Sequence, residues 1–194
     1  MMLPPTPRVL FLRALVGDIR AVSPVGRVIV GVDGGTQGGP FADDLALVFR
    51  EAGADTFRAR LADFHTSRSY RTRLGPETEA SYYRDAYDYV ALRRVLLDPF
   101  RLGGSAGFQT AAYDEERDQP VEARWLSAGQ DAVLVVDGEF VLRPSLRDAW
   151  NTSILLVNAL QETVYLDDAR PLAHADHLVD DSEPELPLRI DRAL

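Results

Sequence analysis

The chain has 194 residues, 30 of them acidic and 21 basic, for a formal charge of −9, and all 21 basic residues are arginine. The absence of lysine removes Schiff-base chemistry and the phosphate-cradling ammonium group, and the absence of cysteine removes thiol nucleophiles, thiolate metal sites and disulfides. A pI near 4.8 argues against a nucleic-acid partner, and no apolar run approaches the ~18 residues that span a bilayer, so a cytoplasmic protein with no membrane partner is expected.

In chain order, residues 8–19 mix Leu, Val and Phe with Arg in a helical rhythm that Pro24 and Gly26 close. Residues 27–33 read as a buried strand, because a short β-branched run meets a glycine cluster. Residues 41–52 place Phe41, Leu45, Val48 and Phe49 on one helical face, and residues 56–61 alternate as a second strand. A polar, arginine-rich loop over 65–75 leads to a long helical stretch over 77–97. Residues 99–128, rich in glycine and charge, suit a hairpin or an irregular excursion. Residues 131–137 form the strongest buried strand and 153–157 another. In the acidic tail from 181, Leu186, Leu188 and Ile190 suit an edge strand. Strands separated by helices imply one α/β domain, residues 1–194, with a parallel sheet of about five strands between two helical layers. Residues 1–26 are the N-terminal helix and linker of that domain.

Open parallel sheets bind ligands at the carboxyl ends of their strands. The first such end carries Gly34, Gly35, Gly38 and Gly39, whose backbone N–H groups beside a helix start could hold a nucleotide phosphate. The spacing from Gly34 to Gly39 matches the first half of a P-loop. Its second half fails, since Pro40 and Phe41 stand where lysine and Ser/Thr belong. A tight strand-to-helix turn is the alternative. Asp63, His65, Arg68, Arg71 and Arg73 cluster after the second strand and could hold an anion, or could form a solvated loop of arginines paired with nearby acids. His174 and His177 have the spacing of a metal pair but no clear third ligand. Tyr82, Tyr83, Tyr87 and Tyr89 read as helix packing before they read as a base-stacking platform.

Several blocks in order carry a family likeness: Val32-Asp33-Gly34, Phe41-Ala42-Asp43-Asp44-Leu45, Ala62-Asp63-Phe64-His65, Tyr83-Arg84-Asp85-Ala86-Tyr87-Asp88, Leu96-Leu97-Asp98-Pro99, Tyr113-Asp114, and Val135-Val136-Asp137-Gly138-Glu139-Phe140 followed by Arg143-Pro144. Together they resemble the uridine kinase-like, DDFH-type branch of the P-loop nucleoside and nucleotide kinases, over most of the chain. The resemblance implies an ATP and Mg²⁺ machine: loop amides and a lysine on the phosphates, a hydroxyl and an acid on the metal, an aspartate base and lid arginines. By that likeness Asp137 and Glu139 are the magnesium-side acids, and His65, Arg68, Arg71 and Tyr113 are the substrate-side residues. Four parts depart from the pattern. The loop lysine and the metal-binding hydroxyl are absent, Ala62 stands at the base position with Asp63 beside it, and no arginine lies between Arg147 and Arg170 to form a lid. The places of the uridine-binding His and Arg hold Asp118 and Pro120.

The resulting expectation is a degenerate member, a pseudokinase that binds a nucleotide or another anionic small molecule with little or no phosphotransfer. Two other readings stay open. One is an active nucleoside kinase using ATP and Mg²⁺ with Asp63 as base; the other is a structural partner, as a homodimer or bound to an active paralogue.

Overall fold

The computed structural model describes residues 2–160 and 163–191. Thr6 caps α1 (Pro7–Val22) by accepting from the Val9 N–H, and Pro7 sits where the missing N–H is harmless. Leu12, Leu15, Val16 and Ile19 recur at helical spacing and are all buried. β1 (Val28–Asp33), α2 (Gly35–Glu51) and β2 (Thr56–Arg60) follow, then a 3₁₀ turn (Leu61–Phe64) and the short α3 (Arg68–Arg71), capped by Ser67.

The stretch over 77–97 is two helices, not one. α4 (Glu79–Asp85) and α5 (Tyr89–Leu92) part where the chain bonds the segment after β2, the Thr66 N–H donating to the Ala86 carbonyl and the Asp88 N–H to the Phe64 carbonyl. The Asp88 side chain then starts α5 by accepting from the Ala91 N–H. α5 continues through a π-helical turn (Arg93–Leu97) into α6 (Asp98–Leu102). Pro99 explains the wide turn, because it has no N–H for the Val95 carbonyl four residues back, and that carbonyl accepts from the Gln109 N–H instead. The excursion beyond contains a small hairpin, β3 (Tyr113–Asp114) with β4 (Gln119–Pro120). β5 (Val133–Gly138), β6 (Thr152–Leu156), α7 (Thr163–Ala169), α8 (Pro171–His174), β7 (His177–Asp180) and β8 (Leu188–Arg189) complete the order.

The main sheet runs β2-β5-β1-β6-β7-β8, five parallel strands and one antiparallel edge. The edge, β8, lies within the tail segment expected to supply it. β7 is a strand the sequence pattern does not announce: His177 pairs with Ile154 inside it, and among the described residues no cluster of three potential metal ligands exists. Alternation along the strands separates two cores. Val28, Val30, Val32, Val133 and Val135 face α1 and α2, while Ile29, Leu134 and Val136 face the tyrosine-bearing helices. A side chain at Gly31 would lie 2.7 Å from Val141 and 2.8 Å from Trp150, so a glycine admits the indole onto β1. No helix among the described residues is long and apolar enough to cross a membrane.

Candidate functional site

β1 lies between β5 and β6, with the chain continuing to β2 on one side and to β7 on the other, which is the arrangement that opens a crevice at the strands' carboxyl ends. A cleft of about 450 Å³ sits there, at the ends of β1, β2 and β5.

The glycine run borders it, but as helix. α2 begins at Gly35, six residues before the expected start at Phe41. The Gly34 N–H donates to the Gly138 carbonyl, and the Gly34 carbonyl accepts from the Gln37 and Gly38 N–H groups, which closes the chain into a helical turn directly after β1. A methyl group on Gly34 would lie 2.7 Å from Leu156 and 2.9 Å from the Gly38 Cα. Pro40 takes an interior helical position, and Phe41 is fully buried beneath the Arg8 guanidinium. Of the four candidate glycines, Gly35 and Gly39 reach the cleft, whereas Gly34 makes a close packing contact. Gly34→Ala is therefore expected to destabilise the fold by about 1–3 kcal/mol in chemical denaturation, since one of its two neighbours is backbone that cannot step aside. A neutral result would mean that the turn opens readily.

Asp137, next to the last residue of β5, lines the cleft, and one of its carboxylate oxygens is ion-paired: Arg58 of β2 donates from Nη2 to its Oδ1 at 2.6 Å. The same guanidinium donates from Nε to Asp43 at 2.8 Å. Burial pushes the Asp137 carboxyl up, and the Arg58 charge opposes it. Glu139, the second candidate magnesium-side acid, accepts a long 3.4 Å hydrogen bond from the Tyr87 hydroxyl.

At the end of β2, Ala62 lines the cleft and Asp63 does not. The Asp63 carboxylate faces Arg60 at 3.4 Å, and burial raises its pKa. Of the substrate-side candidates only His65 lines the cleft, its Nε2 lying 3.6 Å from Glu115; burial lowers its pKa and favours the neutral ring. Arg71 is held by Glu77 at 2.8 Å and by the Thr66 carbonyl, and Tyr113 donates to Asp118 at 2.7 Å. Asp118 also accepts from the Arg68 N–H. Arg71 and Arg73 are thus paired with Glu77 and Asp85, which lie beyond the loop, and with the Thr66 and Tyr70 carbonyls inside it.

Tyr82 and Tyr87 form an aromatic wall, packed edge-on against Phe140 and beside the His65 ring. Behind them Asp33, at the end of β1, accepts from the Tyr165 hydroxyl and from the Leu142 N–H at 3.1 Å. Burial raises the Asp33 pKa to about 7, against the lowering effect of those two donors. The tyrosines do pack the helices, and two of them also line the cleft.

No protein-family model matches the sequence, and no curated protein matches it. Among solved structures, a protein described as a possible uridine kinase from Bacillus stearothermophilus aligns with a TM-score of 0.73 and 22% identity, over 88% of this chain and 96% of that one. The fold is that of the P-loop kinases. A candidate fructose transport system kinase from Silicibacter sp. TM1040 has the same architecture with a TM-score of 0.57, 18% identity, and 84% and 91% coverage of the two chains.

Within the P-loop-kinase fold, ATP and Mg²⁺ are the groups the architecture implies, and the residues here do not fit them. Magnesium requires a near-octahedral oxygen set and keeps several waters. Here the Asp137 carboxylate is ion-paired, and no group of three acids or histidines converges among the described residues. The glycine-rich segment is wound into α2, with Pro40 inside the helix. Arg58, Glu115 and Tyr165 also belong to this region, and no sequence motif marks them. Arg58 left a signal: an arginine between Phe57 and Ala59 on an alternating strand must face the helix layer, where only a buried acid can balance it.

Proposed function

We propose that this P-loop-kinase-fold protein is a pseudokinase that binds a small molecule in the cleft without transferring phosphate to it. The observation that carries the reading is the helical closure of residues 34–39, which leaves no loop to wrap a phosphate chain. Chemistry agrees. Removing one preorganised transition-state donor typically lowers the rate by ~10²–10³, and such losses, although not additive, fall here on the lysine, the hydroxyl, the base and the lid together.

The lining indicates the kind of ligand. Asp43, Glu115, Asp137 and Glu139 meet only Arg58, Arg60 and a neutral His65, so a triphosphate would approach an acidic surface. A nucleoside-like molecule suits it better: its base can stack on the Tyr82 and Tyr87 rings, and its hydroxyls can donate to Glu139 and Glu115. Calorimetry with a nucleoside panel, and with ATP with and without Mg²⁺, is expected to find nucleoside binding and no coupled ADP release. ADP release that depends on an added nucleoside and disappears in Asp63→Ala would overturn the reading and establish a working kinase.

A further inference from the structure

We infer that the Arg58 guanidinium is a built-in cation standing where the fold otherwise places a divalent metal, so that the acid at the end of β5 is closed to metal ions. This goes beyond the pseudokinase reading and holds whether or not any phosphotransfer survives.

Arg58 leaves β2 on the face opposite Phe57 and passes beneath α2. Its Nε donates to Asp43 at 2.8 Å and its Nη2 to Asp137 at 2.6 Å. Nη1 donates to the Val135 carbonyl at 2.9 Å and the Ala59 carbonyl at 3.1 Å, while Nη2 also reaches the Gly39 carbonyl at 3.5 Å. The charged head therefore sits in a shell made wholly of oxygen, two carboxylates and three carbonyls, the donor set a hard cation would choose. The side chains of Arg58 and Asp137 are only 16% and 6% exposed. A guanidinium does not deprotonate in a protein, so its charge is permanent. A divalent ion at Asp137 would have to sit against that charge in a medium that screens poorly, or displace it and leave Arg58 buried without its partner.

The position also ties three elements together, since Asp43 belongs to α2, Arg58 to β2 and Asp137 to β5. A purely structural tie and a metal surrogate differ in one consequence. Taking away a structural tie only weakens the fold, whereas taking away a surrogate cation opens a cation site.

Mn²⁺ binding, followed by electron paramagnetic resonance, tests this without reference to activity. Each protein is compared with its Asp137→Asn counterpart, so that weak binding elsewhere on the acidic surface cancels. Wild type and Asp137→Asn are expected to bind Mn²⁺ indistinguishably. Arg58→Ala is expected to gain one site, about tenfold or more tighter than the background, that Arg58→Ala/Asp137→Asn lacks. Wild-type Mn²⁺ binding that Asp137→Asn abolishes would overturn the inference, as would a folded Arg58→Ala with no gain. Arg58→Gln, which keeps the side-chain length and loses the charge, serves if the alanine variant does not fold, and the wild-type comparison needs neither. Mn²⁺ bound at Asp137 without ADP release would remove this inference and leave the pseudokinase reading intact.

Discussion

Replacing Arg8 with methionine is expected to lower the folding free energy by about 3–5 kcal/mol, which for a chain of this size lowers the melting temperature by roughly 10 °C. Arg8 lies on α1, and its guanidinium donates to Asp181 at 2.7 Å, to the Pro184 carbonyl at 2.6 Å and to Asp44 at 2.6 Å, while covering the Phe41 ring. Arg8 and Asp181 are both buried, with side chains 9% and 5% exposed. Removing the cation leaves the Asp181 carboxylate out of water with no counter-charge, and that stranded ion is the larger part of the loss. Two companion measurements separate this from lost packing. Arg8→Met/Asp181→Asn is expected to recover most of the loss, because neither position then carries a charge. The single variant's deficit is also expected to shrink as pH falls, because burial already raises the Asp181 pKa and protonation relieves the unpaired charge. A loss below about 1 kcal/mol in guanidinium denaturation would show that the α1 latch is an ordinary surface contact.

That latch joins the two ends of the described chain, and nothing local in the sequence shows it, because Arg8 and Asp181 are 173 positions apart. The parts legible in advance have local causes. β1 and β5 carry near-continuous runs of valine, isoleucine and leucine because both faces are buried, and α1 carries a full apolar stripe. The start of α2 misleads because Gly34, Gly35, Gly38, Gly39 and Pro40 are poor helix formers, and the stretch is held as helix by distant partners, the Gly138 carbonyl at Gly34, Asn158 at Gln37 and Arg58 at Gly39. The break at residues 86–88 likewise depends on the Phe64 and Thr66 backbone groups. In the site, Ala62 and Asp63 stand side by side in a 3₁₀ turn, and only Ala62 faces the cleft while Asp63 turns to Arg60. The Asp33–Tyr165 contact does not follow from spacing, for its partners meet only once α7 folds back over the sheet.

That contact sets the second large effect, a pH dependence. Raising the pH from about 4 to about 8 is expected to remove roughly 4 kcal/mol of stability from wild type that Asp33→Asn retains. The sign follows from the direction of the shift. The Asp33 pKa rises from an ordinary 3.8 to about 7 in the folded protein, chiefly because the carboxyl is buried, with the Glu139 charge adding to the rise. Below 3.8 the folded and unfolded chains are both protonated here, and the group exacts no penalty. Between 3.8 and 7 the unfolded chain releases its proton while the folded chain keeps it, so stability falls with each pH unit; above 7 both are ionised and the loss is complete. An asparagine Oδ1 can accept from the Tyr165 hydroxyl and the Leu142 N–H as the carboxylate oxygen does, so the substitution removes the titration and keeps these two hydrogen bonds. The stability difference between Asp33→Asn and wild type should then climb from near zero at pH 4 to a plateau above pH 7. Shifted groups away from this contact, among them Asp63, His65, Asp137, His177 and Asp181, are common to both proteins and cancel in that difference. A difference that stays flat across this range would mean that Asp33 is solvated and ionised throughout. Near neutral pH the residue joining β1 to α2 would then carry a full charge under the turn at Gly34, where the buried position calls for a carboxyl about half protonated.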